Sequence, residues 1–200
     1  NPVTAPRAAE LVQQGTQAAL PGLQQKRVSV TGGEPLVFPE FVRDLGKLLR
    51  DQGFRLHLET AALDPKALEL CIGQVDHLSA DYKLPETLGE PDKAELKLAP
   101  GNSYGERHLR CVEVALRRGA SVDVKLVLTD KVLDPSFERA LADLAPVKAK
   151  ILLVLQPVTP FGAVNRSLPA RDLERFVATA VREGFDVRVV PQTHKTLQVP

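Results

Sequence analysis

Across 200 residues, 26 basic and 25 acidic side chains nearly cancel to a formal net charge of +1, so no broad field draws in nucleic acid or an anionic membrane. Aromatic residues make up 4% of the chain, too few for a base-stacking platform along a single strand. No apolar run approaches the roughly 20 residues of a membrane-spanning helix and no signal-peptide pattern opens the chain. The expectation is a cytoplasmic protein with one domain over residues 1–200 and a single core.

Helical and extended patterns alternate along the chain. A weak amphipathic helix over 5–20, carrying Ala8, Leu11, Val12 and Ala19, precedes a strand at 27–31. A helix follows at 39–52, with Phe41, Val42, Leu45, Leu48 and Leu49 on one stripe and Gly53 placed to end it. The next strand is at 55–59, then a short helix at 65–72 stopped by Gly73, then a third strand at 76–81. Pro85, Gly89, Pro91, Pro100 and Gly101 mark 84–103 as a long loop, and loops of that length are usually functional or disordered. Beyond it come a helix at 104–118, a strand at 121–128, a helix at 135–145 and a short apolar strand at 151–155. The clearest helix, 168–183, carries Leu173, Phe176, Val177, Ala180 and Val181 on one face, and a strand at 186–190 closes the series. Strands alternating with helices imply an α/β fold built on a parallel sheet with right-handed crossovers.

Strands covered by helices on both faces read as apolar throughout. These strands alternate instead: Arg27, Ser29 and Thr31 against Val28 and Val30; Arg55, His57 and Glu59 against Leu56 and Leu58. His77, Ser79 and Asp81 oppose Leu78 and Ala80, and Asp123, Lys125 and Thr129 oppose Val122, Val124, Leu126 and Leu128. A period of two puts each set on its own face. Two structures fit: an open sheet with one face in solvent, or a sheet curled around a polar interior that holds a ligand. Parallel sheets seldom leave a whole face to water, which favours the curled form. Within such an interior His57 and His77 are expected as lining or hydrogen-bonding groups.

Every strand also delivers polar or turn-forming residues at its carboxyl end, the edge where parallel α/β architectures bind ligands. Thr31-Gly32-Gly33-Glu34-Pro35 follows the first, Glu59-Thr60 the second and Asp81-Tyr82-Lys83 the third. Thr129-Asp130, Gln156-Pro157 and Pro191-Gln192-Thr193-His194-Lys195 follow the others. A Gly-Gly pair lets backbone approach a ligand with no Cβ in the way.

In full, Val30-Thr31-Gly32-Gly33-Glu34-Pro35-Leu36 resembles the second signature of the radical S-adenosylmethionine superfamily. Together with Glu59-Thr60, Asp81-Tyr82-Lys83-Leu84-Pro85, Leu155-Gln156-Pro157 and the Pro-Gln-x-His-Lys ending, nearly the whole chain resembles the 7-carboxy-7-deazaguanine synthase family. That resemblance implies a partial parallel (βα) barrel, usually homodimeric. The implied reaction turns 6-carboxytetrahydropterin into 7-carboxy-7-deazaguanine with loss of ammonia, on the route to queuosine. S-adenosylmethionine, a four-iron, four-sulfur cluster and Mg2+ are the implied cofactors, with a flavodoxin or ferredoxin as reductant. The hard chemistry is the cofactor's, and the protein supplies position and shielding. By the resemblance, Gly33 and Glu34 hold the methionine end of S-adenosylmethionine. Asp81, Tyr82 and Lys83 contact the same cofactor, although many members have Ser-Pro-Lys there, and Gln156, Pro157, Val158 and Thr159 form another cofactor turn. Thr31, His194 and the carboxylate of Pro200 fall to the pterin.

The family's Cys-x3-Cys-x2-Cys loop has no counterpart here. Cys71 and Cys111, the only cysteines, lie inside helical patterns without metal-ligand spacing and read as small buried hydrophobes. The chain begins at Asn1 and holds no methionine, so the first strand, the cluster loop and its magnesium ligand are expected in a segment ahead of it. Two other readings stand: another small radical S-adenosylmethionine enzyme of the glycyl-radical activase type, or a cluster-less binding protein on the same scaffold.

Overall fold

A computed structural model of the chain describes residues 3–19, 27–88, 103–160 and 166–192. In chain order these form α1 (Ala5–Ala19), β1 (Arg27–Val30), α2 (Pro39–Asp51), β2 (Arg55–Thr60), α3 (Pro65–Cys71) and β3 (His77–Tyr82). There follow α4 (Tyr104–Arg117), β4 (Ser121–Leu128), α5 (Asp134–Leu144), β5 (Leu152–Pro157), α6 (Ala170–Arg182) and β6 (Asp186–Val189). Short 3-10 turns occupy Pro35–Val37, Ile72–Gln74, Pro85–Thr87 and Ala145–Lys150. No helix among the described residues is long and apolar enough to cross a membrane.

The helix ends follow from local chemistry. Asp64 caps α3, its carboxylate accepting from the amides of Lys66 and Ala67 at 3.0 Å each. Ser103 and Glu106 cap α4 reciprocally, the Ser103 amide donating to Glu106 Oε2 at 2.8 Å. At the far end of α2, Gly53 takes φ +83° and Phe54 N returns to the Leu49 carbonyl at 2.9 Å, turning the chain straight into β2. Proline at 169 sets the start of α6 two residues after the sequence pattern suggests, and Val181, at the rim of its apolar stripe, is 54% exposed. Strand β5 runs on through Gln156 and Pro157. Within the predicted 84–103 loop, residues 89–102 lie outside the described residues.

The six strands form one sheet, all parallel, in the order β1-β2-β3-β4-β5-β6. Strictly sequential order with crossovers of one hand puts every connecting helix on the same side of the sheet. The helix-facing residues are accordingly shut off from water: Leu56 and Leu58, Leu78 and Ala80, Val124, Leu126 and Leu128, Leu153 and Leu155. Adjacent helices interlock above them, as at α5 and α6, where the Phe137 and Phe176 rings meet at 4.6 Å. On the other face His57, Glu59, His77, Asp81, Asp123, Lys125 and Gln156 are neither core nor free surface; each is half-buried. A wholly open flat face would leave them exposed. The sheet therefore has the concave polar side of a partial barrel, and of the two structures compatible with the sequence the curled one is found.

One polar side chain is sealed on the apolar side. His108 of α4 is 0% exposed, packed edge-on to Tyr82 at 5.0 Å and stacked near Tyr104 at 6.3 Å. Neither ring nitrogen has a hydrogen-bond partner among the described residues, and burial pushes the imidazole down to about 3. Below the unfolded value of 6.5 the unfolded chain takes up a proton that the folded chain refuses. Stability is therefore lost as pH falls from 6.5 toward 3, at roughly 1 kcal/mol per pH unit. Urea midpoints for wild type and His108→Leu at pH 6.5 and 4.5 check this: the wild type loses more on acidification. Packing is tested at Gly46, where an added Cβ lies 2.7 Å from Gln74 Cβ and 3.0 Å from Leu56 Cδ2. Helix propensity alone favours alanine by about 1 kcal/mol. Overpacking costs about 1–3 kcal/mol, so Gly46→Ala is expected to lower the urea midpoint.

Candidate functional site at the carboxyl edge of the sheet

Thr31, Gly32 and Gly33 leave β1 exposed, the glycines at φ +86° and +54° with no described atom beyond their chain neighbours within 4 Å of where a Cβ would stand. The turn is thus an open backbone edge that a ligand can approach closely. Glu34 behaves differently. Its Oε1 accepts from the Leu36 amide at 3.0 Å, capping the Pro35–Val37 turn, and from Thr60 Oγ1 at 2.5 Å. Its Oε2 accepts from the Ala61 amide at 2.9 Å. One carboxylate thereby ties the end of β1 to the end of β2.

Thr60, 4% exposed, completes this link by accepting from the Ala62 amide at 3.0 Å while donating to Glu34. Ala62 sits at φ +53°, a left-handed conformation that costs a non-glycine residue about 1 kcal/mol or more. Strain of this kind persists where surrounding contacts over-determine it, and the Glu34–Thr60 network supplies them. Three hydrogen bonds use three of the roughly four acceptor positions of a carboxylate. Among the described residues the remaining one has no partner, and it suits a cationic donor.

At the end of β3 the three expected residues part company. Asp81 faces the polar side and pairs with Lys83 Nζ through Oδ2, while its Oδ1 is buried with no partner among the described residues. Tyr82 points the other way, into the helices: its hydroxyl donates to Asp143 Oδ2 at 2.7 Å, and Arg139 Nε donates to Oδ1 of the same carboxylate at 2.9 Å. Burial, then Asp143, pushes the phenol well above its ordinary value. Tyr82 thus fastens the strand end to α4 and α5 and keeps its side chain out of the concavity. The Lys83 amide donates to Tyr104 Oη at 2.7 Å.

Gln156, Pro157, Val158 and Thr159 sit half-buried at the same edge. The Val158 amide donates to the Leu128 carbonyl at 3.0 Å, and the Thr159 amide donates to Gln192 Oε1 at 3.1 Å, linking the turn after β5 to the segment after β6. His194, Lys195 and Pro200 lie outside the described residues. The structure therefore gathers Thr31, Gly33, Glu34, Asp81, Lys83 and the Gln156–Thr159 turn along one edge. Sequence reasoning named Thr60 and Gln192 as motif members but gave them no role; the contacts reveal one for each.

Deeper in the concavity Lys125 Nζ lies 4.0 Å from Glu59 Oε2. Below them Asp123 Oδ1 faces His77 Nε2 and Oδ2 accepts from Ser79 Oγ at 2.7 Å; burial would raise its carboxyl, but these contacts hold it below the usual carboxylate range. Burial, then the neighbouring His77, lowers His57.

The residues fit S-adenosylmethionine: an open Gly-Gly edge, a carboxylate with acceptor capacity left and an orphaned Asp81 oxygen all face one margin. They do not fit an iron–sulfur cluster. Cys71 and Cys111 are buried among the helices, and burial pushes their thiols up to about 11 and about 12, away from the thiolate a metal needs.

No protein-family model matches the chain. A 7-carboxy-7-deazaguanine synthase of Geobacter sulfurreducens is 34% identical over 195 residues, covering 98% of this chain and 71% of that protein. The 7-carboxy-7-deazaguanine synthase of Methanopyrus kandleri is 36% identical over 169 residues, 84% of this chain and 58% of that protein. Among solved structures, a radical SAM methyltransferase from Sphaerobacter thermophilus superposes with a TM-score of 0.71 over 94% of this chain and 57% of that one, at 20% identity, which shows a shared fold. Likeness at this level over nearly all of the residues decides the matter: the chain belongs to the 7-carboxy-7-deazaguanine synthase family and is built on the radical S-adenosylmethionine fold.

Proposed function

We propose that this protein converts 6-carboxytetrahydropterin to 7-carboxy-7-deazaguanine with loss of ammonia, as a single domain acting in the cytoplasm as a homodimer. The observation that carries the reading is the convergence of the Glu34 network, the unpartnered Asp81 oxygen and the Gln156–Thr159 turn on the carboxyl edge of a sheet with a polar concave face.

Bound S-adenosylmethionine supplies hydrogen-abstracting chemistry, and the chain's residues position and shield it. Gly33 offers open backbone and Glu34 its remaining acceptor to the amino group of the methionine moiety. Asp81 Oδ1 accepts a donor from the same cofactor, while Lys83, held by Asp81, presents positive charge at the rim. The Asp81–Tyr82–Lys83 backbone is steadied from behind by the Tyr82–Asp143 hydrogen bond, which is the part Tyr82 plays. Gln156, Pro157, Val158 and Thr159 continue the same edge beyond β4, and Gln192 fixes their geometry through the Thr159 amide. Thr31, exposed beside the glycines, faces the pterin together with His194 and the carboxylate of Pro200. The pterin, polar around its ring edges, suits a lumen lined by Glu59 and Lys125 better than a dry one. Mg2+ and a flavodoxin or ferredoxin reductant belong to the same reading, as does a four-iron, four-sulfur cluster whose thiolate ligands Cys71 and Cys111 do not supply.

The test uses the whole protein with its cluster assembled anaerobically. Supplied with S-adenosylmethionine, reductant and 6-carboxytetrahydropterin, it forms 7-carboxy-7-deazaguanine and 5′-deoxyadenosine; deoxyadenosine without the deazapurine would contradict the reading. Thr60→Val removes a donor to a half-buried carboxylate, a contact worth about 1.5–3 kcal/mol when charge is involved. The variant is expected to bind S-adenosylmethionine about tenfold more weakly by calorimetry, while its circular dichroism matches the wild type.

A further inference from the structure

The floor of the concavity, at the amino-terminal end of the strands, carries a cluster that the carboxyl-edge site does not use. Ser29, His57, His77 and Ser121 occupy one level across β1 to β4, paired Ser29 to His57, His57 to His77 and His77 to Ser121. Asp123 stands one step higher on β4. His77 and Lys83 are six residues apart on an extended chain, so this floor lies roughly 20 Å below the rim.

Both imidazoles are held by their Nδ1 atoms. Ser29 Oγ lies 3.0 Å from His57 Nδ1, and Ser121 Oγ lies 2.7 Å from His77 Nδ1. Ser121 Oγ also donates to the Asp76 carbonyl at 3.2 Å, which leaves it to accept from His77 Nδ1–H. Fixing Nδ1 in this way turns Nε2 inward, the outer-shell arrangement that orients metal-binding histidines. The rings meet edge-on at 4.8 Å. His77 Nε2 faces Asp123 Oδ1, and Ser79 steadies the other carboxylate oxygen at 2.7 Å. His57 Nε2 is buried with no hydrogen-bond partner among the described residues, an arrangement that disfavours a dry, empty site.

We propose that His57 Nε2, His77 Nε2 and Asp123 bind a divalent cation of the zinc class, which clamps β2, β3 and β4 together at the base of the barrel. The three residues' ligand atoms already lie within 4.8 Å of one another. Bonds of about 2.0–2.2 Å in tetrahedral geometry ask for separations of about 3.3 Å. Binding therefore opens the His77–Asp123 contact and draws His57 Nε2 in. Two nitrogens and one oxygen suit Zn2+ or Co2+, whereas Mg2+ prefers all-oxygen shells and retains water. This site is therefore distinct in chemistry from any magnesium the reaction uses. The fourth position faces the concavity and takes water.

The 200-residue chain, stripped with chelator, tests the proposal by titration with Zn2+ and Co2+ alone. One equivalent is expected by elemental analysis, with a rise in Tm, and a hundredfold excess of Mg2+ does not displace it. His57→Gln and Asp123→Asn each weaken binding on the order of a hundredfold or remove it. X-ray absorption of the unmutated zinc-loaded protein keeps the test independent of whether the variants fold, and a shell of nitrogen and oxygen with two imidazoles is expected. Sulfur in that shell, no bound equivalent, or affinity unchanged in both variants would overturn the site and leave His77–Asp123 as a plain hydrogen-bonded pair. None of these results bears on deazapurine formation, which is read separately.

Discussion

One-sided packing governs this molecule. Six parallel strands laid down in strict sequence order send every connecting helix to the same face, so the sheet has one apolar side and one side that no helix among the described residues covers. The apolar side is closed by Leu58, Leu78, Val124, Leu126 and Leu155, all inaccessible to water. The uncovered side cannot be apolar without exposing that surface, nor can it be flat without leaving half of each central strand in bulk solvent. Curvature resolves both demands and creates a sheltered polar concavity. Glu59, Lys125, Asp123 and the histidines are consequences of that geometry before they are candidates for chemistry.

The same constraint explains how a strained edge becomes a binding margin. Each β-strand ends where its chain must turn back toward the helix layer, and those turns are fastened to one another rather than to their own elements. Glu34 reaches β2 through Thr60 and Ala61; Lys83 reaches α4 through Tyr104; Thr159 reaches the end of β6 through Gln192. A margin braced in this way keeps polar groups in place without a ligand, which is what electrostatic preorganisation requires. Ala62 holds its left-handed conformation beside this bracing, its amide donating to Thr60 Oγ1.

Much of this was legible from residue order. Alternation in 55–59, 76–81 and 121–128 separated the concave set from the helix-facing set, and the strand-end residues identified the binding edge. What parity alone cannot supply is level. Nothing in the sequence says that His57 and His77 stand side by side, since that depends on β2–β3 register across an intervening helix. The link from Glu34 to Thr60 spans 26 residues and was hidden for the same reason. Tyr82 is a different case: the parity that places Asp81 inside places Tyr82 outside, and grouping the three residues by family likeness obscured it. His108, one polar residue in a helix of mixed character, carried no signal that it would be sealed between two tyrosines.

The central claim is that the uncovered face is a ligand chamber. Val127 lies on that face of β4, and the native thiols of Cys71 and Cys111 are buried, so a Val127→Cys variant offers one distinguishable reporter. Its alkylation rate, read by mass spectrometry at that residue with and without saturating S-adenosylmethionine and 6-carboxytetrahydropterin, measures whether ligands fill the concavity. Strong protection at position 127, with none at a cysteine introduced at exposed Val181, is the predicted result. Equal rates with and without ligands at position 127 would contradict it.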